Sequence, residues 1–251
     1  MRAPFSLSIV AAAVAPLIFN VAVHAASMDS RIESSAKQSY VFKTYLKNDD
    51  INIKSKNGAV ALTGTVSEGF HKALAQDTVF DLPGVKSVDN RLEIKGTPPA
   101  ANSDAWIRDK VKITLSFHRS VSALTTEVDV KDGVVTLRGV AANEAQRELT
   151  TEYAKDVEGV KDVKNDMTTG TDVKKKRTIG EKIDDSSITA QVKMTLLYHR
   201  STSAVYTTVK TKNGIVTLDG KAANENERNL ATKLASDVTG VKDVRNRMTI
   251  E

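Results

Sequence analysis

Few side chains in this sequence are equipped for chemistry, and the first to weigh are its four histidines. His24 lies in an apolar N-terminal run and His71 stands alone, while His118 and His199 recur in the phrases FHRS and YHRS. Imidazole serves proton transfer and metal binding alike. A metal site needs further ligands converging on it, and no spaced cluster of His, Cys and carboxylate accompanies these residues. The chain has no cysteine, which removes thiol nucleophiles and thiolate ligands. No serine sits in a G-x-S-x-G elbow, and the acidic residues are spread over solvated helix faces. His118-Arg119 and His199-Arg200 both fall just past a helical segment, where the negative end of the helix dipole favours cations. The expectation is a chain without catalytic residues, metal or cofactor.

Binding chemistry is easier to find. In the stretch GTDVKKKRTIGEKID, Lys174, Lys175, Lys176 and Arg177 form a compact cationic run. Beside an anionic membrane each such charge contributes roughly 1 kcal/mol, about 4 kcal/mol for the run. That corresponds to about millimolar affinity, so an apolar contact or several molecules on one surface must help. A solvated flexible linker is the alternative reading of the same residues. Trp106, with Lys110, Ile113 and Phe117, lies near one helical face, and Leu197, Tyr198 and Arg200 end the corresponding segment further on. Aromatic rings with polar tips suit a membrane interface, and they suit packing against a neighbouring domain equally well.

The N-terminus reads as a secretory signal over residues 1–26. Arg2 precedes the apolar run LSIVAAAVAPLIFNVAV, Pro16 interrupts that run, and Val23 and Ala25 supply small side chains for cleavage after Ala25 or Ala26. The mature chain contains no twenty-residue apolar run, so it is not expected to span a membrane. Without cysteine there is neither a disulfide nor a lipid-anchored thiol, which points to a soluble periplasmic protein. The formal net charge of +5 is compatible with polyanions. No aromatic-plus-basic stripe supports nucleic acid, and anionic phospholipid headgroups or envelope proteins are the expected partners.

What positions these residues is a unit written three times. NGAVALTG, DGVVTLRG and NGIVTLDG open matching stretches, which close on GVKSVDNRL, GVKDVKNDM and GVKDVRNRM. Gly58 and Gly84, Gly133 and Gly159, and Gly214 and Gly240 are equally spaced, without insertion. Each unit reads helix, strand, strand, helix, strand. Ile107, Val111 and Leu115 mark the core face of the first helix, as do Ile188, Val192 and Leu196, and Asp104 or Asp185 is placed to cap the start. Asn57-Gly58, Asp132-Gly133 and Asn213-Gly214 mark tight hairpins. Asn143 with Gln146, and Asn224 with Glu227, form capping boxes for the second helix. Leu149, Tyr153 and Val157 are expected on its buried stripe, matched by Leu230, Leu234 and Val238. Gly159 and Gly240 stop these helices in the left-handed conformation. In the last strand, Asn90, Asn165 and Asn246 fall on the packed face, where the amide is expected to bond a neighbouring backbone group and fix register.

The pattern G-x-V-x-L-x-G, then a helix, then GV-x-x-V-x-N resembles the BON domain (bacterial OsmY and nodulation). The likeness covers residues 27–97, 104–170 and 183–251. The first copy departs from it with Ser67-Glu68-Gly69 at the helix entrance and Pro83 before Gly84. The resemblance implies an α+β chain of three tandem BON domains, each αββαβ with two helices packed on a three-stranded mixed sheet. It also implies an envelope protein linked to osmotic stress, outer-membrane integrity or phospholipid attachment, with no catalytic residues to carry over. The expected function is non-enzymatic binding of anionic phospholipid or membrane-associated partners; the alternative is a holdase for unfolded envelope proteins. The uncharged linker GTPPAANS is expected to be a semi-rigid spacer keeping the first two domains apart.

Overall fold

A computed structural model describes residues 20–121, 123–170, 182–202 and 207–251. The first repeat comprises α1 (Asn20–Gln38), α2 (Tyr40–Thr44), β1 (Asp50–Lys56), β2 (Ala59–Val66), α3 (Gly69–Phe80) and β3 (Ser87–Ile94). In the second, α4 (Asp104–Phe117) leads through a 3-10 turn (Ala123–Thr125) to β4 (Thr126–Lys131), β5 (Val134–Ala141), α5 (Glu144–Lys155), β6 (Asp162–Asn165) and β7 (Thr168–Thr169). The third consists of α6 (Asp185–Tyr198), β8 (Thr207–Lys212), β9 (Ile215–Ala222), α7 (Glu225–Asp237), β10 (Asp243–Asn246) and β11 (Thr249–Ile250). This is the expected α+β architecture, threefold.

Each sheet has the same mixed order. The hairpin strands pair antiparallel, and the last strand returns after a helix to lie parallel to the second. The second strand is therefore central, and its alternate residues are fully covered: Val60 and Leu62, Val135 and Leu137, Val216 and Leu218. In the second and third repeats the last strand is interrupted, where the Asp166 and Arg247 amides bond the Leu137 and Leu218 carbonyls. Both Asn57 and Gly58 have positive φ, as do Asp132-Gly133 and Asn213-Gly214, which matches the twist of a two-residue hairpin.

The start of the first helix differs from expectation. Ser103 and Asp184 cap α4 and α6 by accepting from the Trp106 and Ser187 amides. Asp104 and Asp185 sit one residue further in and bind the hairpin instead. Asp104 accepts from Asp132 N–H and Gly133 N–H at 2.8 Å each, and Asp185 accepts from Asn213 and Gly214. Asp29 does the same for Asn57 and Gly58. A tight turn aims two amides outward, and a carboxylate has oxygens enough for both.

Along the second helix the expected stripe holds at Val157, Leu234 and Val238, which are buried, but fails at Leu149. Leu149 is exposed, while Thr150 and Ala154 are buried; in α7 the covered residues are Ala231, Leu234 and Ala235. The small side chains of Thr150, Ala154, Ala231 and Ala235 let each helix lie close to its sheet.

The largest departure concerns the linkers. The core of the first repeat takes in Ile113 and Phe117 from α4 and Ala190 and Met194 from α6. GTPPAANS thus does not hold the first repeat apart; it lets that repeat cover both helices. The α6 helix is enclosed on both sides, with Ile188, Val192 and Leu196 in its own core and Ala190 and Met194 in the first repeat's. Polar groups fasten the contact: Tyr40 N–H to Asp184 at 2.7 Å, Val41 N–H to Ser187 at 3.0 Å, and Lys193 to Asp81 at 2.9 Å.

Candidate functional site

The densest convergence of polar chemistry lies where the second and third repeats meet. The end of α4 pairs with the corner after α7, and the end of α6 pairs with the corner after α5. Arg119 N–H donates to Asp237 O at 2.9 Å, and Thr239 N–H donates to Phe117 O at 3.0 Å. Reciprocally, Arg200 N–H donates to Asp156 O at 2.9 Å, and Glu158 N–H donates to Tyr198 O at 3.3 Å. The Arg119 guanidinium reaches the Ser236, Val238 and Val241 carbonyls, and that of Arg200 reaches Val157 and Val160. The helix C-termini thus do favour these cations, but each guanidinium caps carbonyls of the opposite repeat.

Both histidines are buried within this clasp, in different hydrogen-bonding states. His118 Nδ1 lies 3.1 Å from Asp237, and its ring stacks on Tyr153 at 3.8 Å between centroids. Tyr153 Oη and Ser120 Oγ also donate to Asp237. Burial works to raise the Asp237 carboxyl, but bonds from His118, Ser120 and Tyr153 outweigh it and hold the group below its ordinary value. Burial, then the bond to Asp237, pushes the Tyr153 phenol up. His199 instead accepts from Ser201 N–H at Nδ1, 3.1 Å away, so its proton sits on Nε2. That Nε2 lies 3.4 Å from Asp156, within ionic reach but short of hydrogen-bond geometry. Burial lowers the His199 imidazole, Asp156 opposes this, and Arg200 and His118 add to the lowering.

The other expected site residues divide between repeats. Trp106 packs on the second repeat's core, and Lys110 sits over its ring at 3.5 Å, with the Tyr198 ring at 4.8 Å and Glu158 at 3.0 Å. Tyr198 packs on the first repeat's core, where burial and Asp77 raise its phenol to about 12. The structure therefore brings Trp106 and Tyr198 around one ammonium group and turns Arg200 into the clasp. Lys174, Lys175, Lys176 and Arg177 lie outside the described residues.

The recurring asparagines join the last strand to the second helix. Asn165 Nδ2 donates to Arg147 O at 2.9 Å and Thr151 Oγ1 at 2.6 Å, while Oδ1 accepts from Met167 N–H. Asn246 repeats this with Arg228, Thr232 and Met248, and Asn90 with Lys72, Gln76 and Leu92. Gly84, Gly159 and Gly240 stand at positive φ in the preceding corners. Among the described residues no group of three or more His, Cys, Asp or Glu is placed to hold a metal ion.

The family model of the BON domain matches residues 28–96, 103–171 and 184–251. The chain belongs to the BON domain family. It is 30% identical over 145 residues to osmotically-inducible protein Y of Escherichia coli, covering 56% of this chain and 72% of that protein. It is 34% identical over 161 residues to the outer membrane lipoprotein DolP of Haemophilus influenzae, covering 64% of this chain and 74% of that protein.

The three BON repeats are not interchangeable, and the reason is visible residue by residue. Counting from the shared glycines, Lys43-Thr44 replaces His-Arg in the first repeat, and Pro83 stands where Glu158 and Thr239 donate their amides. Proline has no N–H, so the first repeat lacks the imidazole, the guanidinium and the backbone donor of the clasp. Asp81, the counterpart of Asp156 and Asp237, pairs with Lys193 instead. FHRS with DVEGV, and YHRS with DVTGV, were the signal in the sequence. Only contact shows that the two phrases address each other.

Proposed function

We propose that this chain is a non-enzymatic periplasmic protein of envelope or osmotic stress, delivered by cleavage of residues 1–26 and held to anionic phospholipid or membrane-associated partners through its BON domains. Its BON membership in three repeats carries the reading, supported by likeness to one relative named for osmotic induction and another named an outer membrane lipoprotein. Among the described residues no helix is long and apolar enough to cross a membrane. Attachment then rests on surface charge, for which Lys174, Lys175, Lys176 and Arg177 are the first candidates. Trp106, Tyr198 and Arg200 contribute less directly, because their aromatic and cationic groups already serve contacts between repeats.

Flotation with phosphatidylglycerol or cardiolipin vesicles at low and high salt tests the proposal. Binding is expected at low salt, with loss on adding salt and on changing residues 174–177 to Gln. Equal retention of that variant, or no salt-sensitive binding, defeats the lipid reading. In that case, slowed aggregation of an unfolded client without vesicles would favour the holdase.

A further inference from the structure

The clasp holds two buried imidazoles, each within reach of a carboxylate of the opposite repeat. Its two halves are built from the same phrases but are not equivalent. Around His118, Asp237 from the end of α7 and Tyr153 from α5 form a connected network with Ser120, and Arg119 follows in the chain. Around His199 lie the ionisable groups of Asp156 from the end of α5, Arg200 next in the chain, and His118 across the contact. Leu234 occupies the place of Tyr153 in the third repeat, so the position that bonds Asp237 in one half carries no phenol in the other.

The geometry at His199 fixes which proton is absent. Nδ1 is an acceptor for Ser201 N–H, and a second proton there would set donor against donor. Nε2 already carries its proton toward Asp156, at a distance and angle that make a poor bond. The charged ring would keep its attraction to Asp156, but would lose the Ser201 bond and gain repulsion from Arg200 inside a buried contact.

We propose that the clasp between the second and third BON domains is acid-labile: protonation of His199 opens the Arg200–Asp156 and Glu158–Tyr198 pairing while each domain remains folded. The direction of the His199 shift agrees. A histidine lowered from its ordinary 6.5 by burial contributes full stability above that value, and the contribution falls as pH drops from 6.5 toward the folded-state value. This step is separate from carboxylate protonation, which occurs at more acid pH.

Amide hydrogen exchange of the full-length chain reads the opening directly. Between about pH 7.5 and about pH 5.5, protection at Arg200 and Glu158, corrected for intrinsic exchange, is expected to fall severalfold and by about tenfold at most, because the window reaches only about one pH unit below the ordinary imidazole value. Amides of β5 and β9 should hold their protection. His199→Asn retains an acceptor for Ser201 and cannot titrate, so it should abolish the step. Unchanged protection in the wild-type chain, or the same step in His199→Asn, overturns the proposal. Should that variant fail to fold, NMR titration of His199 in the wild-type chain decides. A midpoint below 6.5 supports the proposal, and one at or above 6.5 refutes it.

Discussion

At the scale of single residues, the asparagine of the last strand does what no apolar residue could. One amide side chain closes three bonds: to a helix carbonyl, to a helix side chain and to the amide two residues on. Replacing Asn165 by Ala would leave the Thr151 hydroxyl and Met167 amide without this partner. We expect a loss of about 1–3 kcal/mol in urea unfolding, with Asn246→Ala behaving alike. The sequence marked these asparagines as paired through repetition and strand phase. Their partners stayed hidden, because Arg147 and Thr151 lie on a helix whose rotation against the sheet is set by packing. Gly139 teaches a similar lesson. At φ 125°, an added Cβ would come within 1.9 Å of Thr125 O, yet the sequence offers only a glycine closing G-x-V-x-L-x-G.

At the scale of elements, a carboxylate at the start of each first helix ties down the hairpin beyond it. Asp185→Ala frees the amides of Asn213 and Gly214, while the α6 cap on Asp184 is untouched. The expected cost is about 1–3 kcal/mol, with faster amide exchange confined to the β8–β9 turn. Loss of helix content in α6 would contradict this assignment. Asp29 serves the same turn in the first repeat, and its carboxyl is lowered chiefly by bonds from Ser55 and Gly58. The helices also show why periodicity misled. In α5 the heptad-like Leu149 looked like core, but the sheet accepts Thr150 and Ala154. In α6 polar and small residues such as Ser187, Ala190 and Gln191 are fully covered, and no amphipathic pattern announces burial on two sides.

At the scale of the whole molecule, α6 is the shared element. The first repeat docks on it across a separation of more than a hundred residues, so the three BON domains should unfold cooperatively. Met194→Asp leaves the third repeat's own core intact and removes a buried contact with the first. Calorimetry should then split one transition into two, the first repeat melting earlier; a single unsplit transition would argue against docking. The contact is also expected to weaken in strong acid. Burial favours the neutral form of Asp184, but bonds from Ser186, Tyr40 N–H and Ser187 hold the carboxyl below 3.8. Its contribution is therefore present above that value and lost as pH falls through the lower folded-state value, readable as exposure of Tyr40 and Tyr45 by fluorescence.

The sequence by itself determined the repeat, its αββαβ order, the hairpin turns and the asparagine positions, because these depend on local φ preferences and on alternation within a few residues. It also singled out the His118-Arg119 and His199-Arg200 pairs, but not the Asp156 and Asp237 they meet. Only the tertiary structure decided that FHRS faces DVTGV, that YHRS faces DVEGV, that Asp104 and Asp185 serve turns instead of caps, and that the first repeat closes over α6. Such choices follow from which surfaces exclude water together, and surfaces distant along the chain acquire that relation only once they have folded.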